Sequence, residues 1–331
     1  MNSLRHIRVL RYIEEVASSG SARQAADRLH ITPSALLRRI QDVEFDLGTP
    51  IFERSSTGVR LTAAGQILVD WIRDQQAGLR RVFSQIDELM GLRRGEVRIA
   101  CCQSVAGSLL VPLISGFKAQ FPLIVFLVTV LERPEALRAL RADEVDLALI
   151  FGTNPPAEFD EIASIGQRVV VVMAADHPLA ARVAVTLRDC ADFGIVLPSS
   201  GSHVRNIVDA AAERAGIDLD AGLESNSLAV LGGIVRTSRA ITFDMAIAAE
   251  AWAQIPDIVV RSLVEPSIAP DRLVLVRHKG RVLPAAADAF ALRICDAISM
   301  PDAVLADEPL GDTAAHASGR GRKALAVVSS R

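Results

Sequence analysis

Between residues 32 and 47 the chain sets Thr32, Pro33, Ser34, Leu37, Arg38, Arg39 and Gln41 among apolar residues at helical spacing. Ser34, Leu37, Arg38 and Gln41 fall at i, i+3, i+4 and i+7. A helix would therefore carry a hydroxyl, an apolar tip, a guanidinium and an amide on one side. Such groups exchange hydrogen bonds but break no covalent bond by themselves. Arg pairs with guanine edges and phosphates, Gln with adenine, and an apolar tip can press on a thymine methyl. Leu36, Ile40, Val43 and Leu47, at i, i+4, i+7 and i+11, form a stripe that would anchor the same helix in a core. This two-faced pattern suits a helix lying in the major groove, and equally an ordinary amphipathic surface helix.

The neighbouring elements would position that helix. Leu4, Ile7, Leu10, Ile13 and Val16 recur every three residues and predict a first helix ending at Gly20. Ser21, with Gln24 three residues on, predicts the cap of a second helix whose inner face is Ala22, Ala25, Ala26 and Leu29. Thr32 is a natural N-cap and Pro33 suits the first helical position, so the third helix is predicted over 33–47 and stopped by Gly48. Ile51-Phe52 and Val59-Arg60-Leu61 then flank a polar turn. A two-stranded wing there would hold Arg54, Ser55, Ser56, Thr57 and Arg60 where phosphates lie, although a plain solvated hairpin has the same composition.

Thr62 predicts the cap of a helix running to about Met90, roughly 42 Å long at 1.5 Å per residue. Leu68, Ile72, Gln75, Leu79, Val82, Ile86 and Leu89 step by fours and threes, a heptad seam with one polar position at Gln75. Pairing with a second chain would bury that seam. Packing on the chain's own winged domain is the other outcome. Gly91-Leu-Arg-Arg-Gly95 reads as a hinge.

From Glu96 short apolar runs alternate with helical patterns. Strands are expected near 97–101, 123–129, 146–150, 168–174, 194–197, 240–243, 257–261 and 272–277, and helices near 107–119, 134–141, 203–215, 226–236, 245–253 and 284–299. That alternation implies parallel sheets with helices on both faces, and leaves open whether there is one sheet or two. Periodicity ends at 301. The stretch 301–331 reads as a disordered tail with a basic cluster at Arg320, Arg322 and Lys323.

A chain of 331 residues, half apolar and 23% charged, has room for two or three domains. Its apolar runs are far shorter than the roughly 20 residues a membrane span needs, and its N-terminus lacks the apolar core of a signal peptide, so a cytosolic location is expected. The net charge of −3 divides unevenly. Residues 1–94 carry 14 Arg against 11 Asp and Glu, or +3, which leaves −6 for the remainder. A basic front end suits nucleic acid. Cys101, Cys102, Cys190 and Cys295 show no C-x-x-C spacing and read as reduced core thiols, the first two on opposite faces of a strand. There is no G-x-S-x-G, H-E-x-x-H or P-loop, so no metal, cofactor or enzymatic activity is expected. A dispersed active site in an α/β domain stays open.

Four segments together resemble the N-terminal signature of LysR-type transcriptional regulators. They are Gly20-Ser-Ala-Arg-Gln-Ala-Ala-Asp-Arg-Leu, Pro33-Ser-Ala-Leu-Leu-Arg-Arg-Ile, Asp46-Leu-Gly-Thr-Pro-Ile-Phe-Glu-Arg and Arg60-Leu-Thr-Ala-Ala-Gly. Val145-Asp-Leu-Ala-Leu-Ile and Ala174-Ala-Asp-His-Pro-Leu-Ala are similar to later family segments, and the resemblance reaches about residue 300.

It implies an α/β multidomain protein. A winged helix-turn-helix (1–61) would lead through a linker and dimerisation helix (62–90) and a hinge (91–95) to a periplasmic-binding-protein-like effector domain (96–300). That domain would have two α/β subdomains, one of about 96–162 plus 265–300 and one of about 163–264. The implied function is sequence-specific transcriptional regulation by a homodimer or dimer of dimers on an interrupted inverted repeat of double-stranded DNA. A small organic effector would sit between the subdomains, and RNA polymerase is a further candidate partner. A regulator that needs no effector, its C-terminal domain serving assembly alone, is the alternative. Two places depart from the family pattern: Pro33 and Leu37 replace polar residues common in it, and residues 236–245 replace a Gly-rich turn.

Ligands of such sheets gather at strand carboxyl ends and helix N-termini, where amides are free. That rule selects Gln103, Ser104, Phe151, Thr153, Asn154, Ser200, Ser202, His203, Asn226, Ser227, Thr242 and Phe243. The run Ser199-Ser-Gly-Ser-His203 would suit a carboxylate or similar anion, and would equally serve as a helix cap. His203 reads as a surface residue beside that cap, and His177 as a turn residue.

Overall fold

Ser21 and Thr32 set the first helices as their spacing demands. In the computed structural model, which describes residues 3–55, 58–89 and 94–299, the chain begins with α1 (Ser3–Ser19), α2 (Ala22–Arg28) and α3 (Pro33–Leu47). Ser21 Oγ accepts from Gln24 N at 3.4 Å and Thr32 Oγ1 from Ala35 N at 3.3 Å. Gly48, at φ 69°, ends α3 in the left-handed conformation. The antiparallel hairpin β1 (Phe52–Ser55) and β2 (Gly58–Leu61) follows. Gly58 has φ 141°, and a Cβ there would overlap the Gly20 carbonyl oxygen, which accepts from Val59 N at 3.0 Å. Glycine at 58 thus lets the wing close on the turn after α1.

Thr62 caps α4 (Ala63–Leu89) by accepting from Gly65 N at 2.9 Å. Val69 and Ile72 of α4 join Ile13, Val16, Ala25, Ala26, Leu36, Ile40 and Ile51 in one core, and Leu68 packs against it. The first half of the expected seam therefore serves the chain's own winged domain. The large apolar side chains that α4 leaves exposed among the described residues are Ile67 (73%), Trp71 (49%), Leu79 (51%) and Val82 (50%). With exposed Gln75 they span an arc of about 120° at 100° per residue. Ile86 and Leu89 lie outside the described side chains, as residues 90–93 and 300–331, with part of the hinge and the tail, lie outside the described residues. The chain divides between Ile86 and Asp87 into two compact units.

The second unit opens with β3 (Gly95–Cys101), α5 (Gln103–Val105), a π turn (Ala106–Leu110), α6 (Val111–Gln120), β4 (Ile124–Val130), α7 (Arg133–Arg141), β5 (Leu147–Phe151) and β6 (Phe159–Gln167). There follow β7 (Val169–Ala174), β8 (Ala184–Val185), α8 (Leu187–Ala191), β9 (Ile195–Pro198), α9 (His203–Ala215), β10 (Ala221–Ser225), α10 (Leu228–Thr237) and β11 (Thr242–Met245). The unit closes with α11 (Ala249–Ala253), β12 (Ile258–Leu263), β13 (Asp271–His278) and α12 (Ala285–Ser299).

Two main sheets result, with strand orders β4-β3-β5-β13-β6 and β11-β7-β12-β8, and β9 pairs with β10 beside them. The sheets are mixed, not parallel throughout as expected. β13 runs antiparallel to β5 and β6, and β11 and β12 run antiparallel to β7. In the first sheet β13, returning after the second sheet, runs antiparallel between β5 and β6, which are parallel to each other, and β6 forms the sheet's edge. Its sequence, Phe-Asp-Glu-Ile-Ala-Ser-Ile-Gly-Gln, has no apolar run, so the sequence hides it; it also runs through residue 163, where a crossing between subdomains was expected. Polar β10 and two-residue β8 were hidden likewise. Cys101 ends β3 and Cys102 lies beyond it; both are buried in the same apolar cluster, not on opposite faces of one strand.

Candidate nucleic-acid interface and ligand cleft

In the first unit α3 buries Leu36 and Ile40 and half-buries Val43, and exposes Pro33, Ser34, Leu37, Arg38, Arg39 and Gln41. Leu47, expected in the core stripe, is half exposed, and Phe45, on the side of α3 opposite Leu36, is 87% exposed. Thr32 Oγ1, besides capping, lies 3.3 Å from Ser34 Oγ. Arg38 and Arg39 make no ion pair among the described residues, so both guanidiniums are available to an outside anion. Arg54 is exposed. Arg60 pairs with Glu53 at 2.6 Å, both largely in solvent, an interaction weak enough for a phosphate to replace. Ser55 ends β1, its side chain outside the description, and Ser56 and Thr57 lie outside the described residues.

In the second unit a cavity of about 510 Å³ is lined by residues from the ends of both main sheets and of the β9–β10 pair. Gln103 and Ser104 follow β3, and Phe151 ends β5. Ser200, Ser202 and His203 lie between β9 and α9, and Asn226 precedes α10. These seven expected residues meet at one cavity. Five others do not line it. Thr242 and Phe243 are wholly buried because β11 is covered on both faces, and the next residue, Asp244, lines the cavity in their place. Thr153 and Asn154 are exposed beyond the rim, where their carbonyls each accept from Arg133 Nη2 at 3.1 Å. Ser227 caps α10, accepting from Val230 N at 3.4 Å.

The charged residues of the cleft escaped the sequence rule, which looked only at loops rich in hydroxyls and amides. Glu132, just before α7, accepts from His203 N at 3.2 Å. His203 Nε2 pairs with Asp271 at the start of β13, and its ring stacks on Phe151 with centroids 5.3 Å apart and planes at 18°. Ser202 Oγ meanwhile caps α9 by accepting from Arg205 N at 3.3 Å. His203 is thus half-buried and held on three sides, not a surface residue. No local motif signals this, since Asp271 lies 68 positions away. His177, as expected, sits in a turn and accepts from Leu179 N at 3.2 Å.

Burial pushes the Glu132 carboxyl above its ordinary range, opposed by the His203 amide and charge and reinforced by Glu135 and Asp244. Burial also pushes up Asp244, against hydrogen bonds from Ser104, Trp252 and Met245. Asp271 is held below its ordinary range: burial raises it, but the His203 hydrogen bond and charge and nearby backbone amides outweigh burial. Cys102 lines the cavity, with its thiol pushed well up by burial. Among the described residues no three His, Cys, Asp or Glu lie together as a metal-holding group, and no helix is long and apolar enough to cross a membrane. The cleft can hold a polar molecule by hydrogen bonds from both sides.

A winged helix-turn-helix followed by a two-sheet domain with a cleft defines a DNA-binding regulator that carries its own ligand domain. The chain belongs to the LysR family: residues 7–66 match the bacterial regulatory helix-turn-helix protein of the lysR family and residues 90–296 the LysR substrate binding domain. It is a DNA-binding transcriptional regulator with an effector-binding domain. It is 27% identical over 256 residues to a probable nitrogen assimilation transcriptional activator of Synechococcus elongatus, covering 76% of this chain and 82% of that one. It is 27% identical over 289 residues to the RuBisCO operon transcriptional regulator of Allochromatium vinosum, covering 86% and 93%. The fold is similar to full-length OxyR of Pseudomonas aeruginosa, with a TM-score of 0.63 and 22% identity over 87% of this chain and 94% of that one. It is also similar to full-length CbnR in complex with its target DNA, with a TM-score of 0.61 and 19% identity over 87% and 98%.

Proposed function

We propose that α3 enters the major groove with Ser34, Leu37, Arg38 and Gln41 toward base edges. Thr32, Pro33, Arg39, Arg54, Ser55, Ser56, Thr57 and Arg60 would then lie along the phosphates. One observation carries this reading: Arg38 and Gln41 stand exposed on a helix whose other side, Leu36 and Ile40, is buried. The solved complex of CbnR with target DNA supports it by likeness of fold.

Two chains pair through the exposed face of α4, and two recognition helices read an interrupted inverted repeat in major grooves about one turn, roughly 34 Å, apart. Leu37, where many family members are polar, presses on a thymine methyl. An effector occupies the cleft between the two main sheets and favours whichever spacing of the DNA heads its bound form fits best. The protein acts in the cytoplasm and catalyses no reaction.

The test is Arg38→Ala in the full chain. Loss of a guanine or phosphate contact costs about 1–3 kcal/mol, or roughly five- to 150-fold in operator affinity, with oligomeric state unchanged in sedimentation. Operator binding as tight as wild type would remove α3 from the groove.

A further inference from the structure

The amides at the start of α9, together with the hydroxyl run 199–202, are the natural seat for an anion in this cleft. The protein's own Glu132 occupies that seat, taking the His203 amide at 3.2 Å. Arg205 N is used by Ser202 Oγ, and Asn206 N by the Ser202 carbonyl. The cavity lining contains the carboxyls of Glu132, Glu135 and Asp244, and no Lys or Arg lines it among the described residues. Its one imidazole, on His203, is committed to Asp271. Glu132 Oε2 has its one donor in the His203 amide, and Oε1 receives none among the described residues. Val130, Leu131, Phe151, Val204, Leu228 and Leu231 supply apolar walls.

An anion placed here would face three carboxyls, and the one imidazole that could offset them is already paired with Asp271. A cation would find a part-buried carboxylate that no lysine or arginine of the lining pairs with. We infer that the effector of this cleft is a small organic cation, a primary amine or a guanidinium compound, whose charged head pairs with Glu132 and whose apolar body lies on the walls. This rests on the reading of the cavity as the effector site. Burial, which His203 only partly offsets, pushes the Glu132 carboxyl up, and a bound cation would draw it back down.

The test uses the full-length protein, calorimetry and thermal shift. The probes are butylamine, benzylamine, agmatine and benzamidine, beside butyrate and benzoate as charge-reversed partners. Amines and guanidinium compounds should bind and raise the melting temperature, while the carboxylates should not. Glu132→Gln keeps an acceptor for the His203 amide, so it should fold, and should weaken the cations at least tenfold. Glu135→Gln, on the exposed wall, should weaken them less and guards against a folding defect in the first variant. Carboxylates binding while cations do not would overturn the ligand class and leave the effector site standing. Cations binding equally to wild type and Glu132→Gln would overturn the seat assigned to them. Silence of both series would overturn the inference, while the effector domain, which rests on the family match, would stand.

Discussion

Ser104 Oγ donates to Asp244 Oδ1, joining residues 140 positions apart: Ser104 lies on α5, just after β3 of the first sheet, and Asp244 on β11 of the second. Asp244 is 1% exposed and also accepts from Met245 N at 2.8 Å and from Trp252 Nε1 at 2.7 Å. A carboxylate, which only accepts, can serve all three donors. An amide in its place would set an NH₂ against one of them. Asp244→Asn should therefore cost about 2–4 kcal/mol in urea denaturation, because buried donors lose their acceptor. Ser104→Ala should cost about 1 kcal/mol, since Asp244 keeps its other two partners. Equal losses in the two variants would show that Asp244 is not the hub.

The His203–Asp271 pair should make stability depend on acid. Asp271 is held below the ordinary carboxylate range, so the unfolded chain binds its proton more readily than the folded one. Its contribution is complete above the unfolded value of about 3.8 and is lost as pH falls through the lower folded value. Asp271→Asn should cost about 1–3 kcal/mol at pH 5, and the difference from wild type should narrow as pH falls below the unfolded value. Denaturation midpoints at several pH values measure this. A gap that stays constant down to strong acid would mean the pair is not ionic.

Three of the four thiols of this chain are buried and poorly placed to react. Burial raises the Cys101 and Cys190 thiols to about 12, and Cys102 is also pushed well up by burial, by Cys101 and by its acidic neighbours. At neutral pH only about one thiol in 10⁵ would then be a thiolate, the form that reacts. Iodoacetamide followed by mass spectrometry on the native protein should modify Cys295, which is partly exposed, before the other three. Fast native labelling of Cys102 would contradict its burial.

The front of the chain was legible because its signals are local. Caps at Ser21 and Thr32, a glycine stop at 48 and apolar spacing within one helix each act over a few residues. The cleft was half legible for the same reason. Loop hydroxyls such as Ser200 and Ser202 announce themselves beside a strand end, while Glu132, Asp244 and Asp271 meet only after distant strands pair. β6 stayed hidden because a strand shared between a sheet edge and solvent carries no apolar run. On α4 the heptad was real in spacing yet ambiguous in direction. Two adjacent arcs of one helix are apolar, and only packing decides which faces inward.

That ambiguity yields a test in which two substitutions on one helix should fail in different ways. Ile72 is fully buried against Ile13 and Val16 of its own unit, whereas Trp71, the residue before it, is half exposed. Ile72→Ala removes packed methyls and leaves a cavity, so it should lower unfolding stability by about 2–5 kcal/mol. Trp71→Ala takes nothing from that core and should leave the first unit's stability within about 0.5 kcal/mol, as surface substitutions do. If the exposed arc is where two chains meet, Trp71→Ala together with Ile67→Ala should raise the dimer dissociation constant at least tenfold in sedimentation, since aromatic anchors dominate such contacts. Operator affinity should then fall through loss of the paired heads while the fold stays intact. A double variant that is dimeric at the same concentration as wild type would move the interface away from this face of α4.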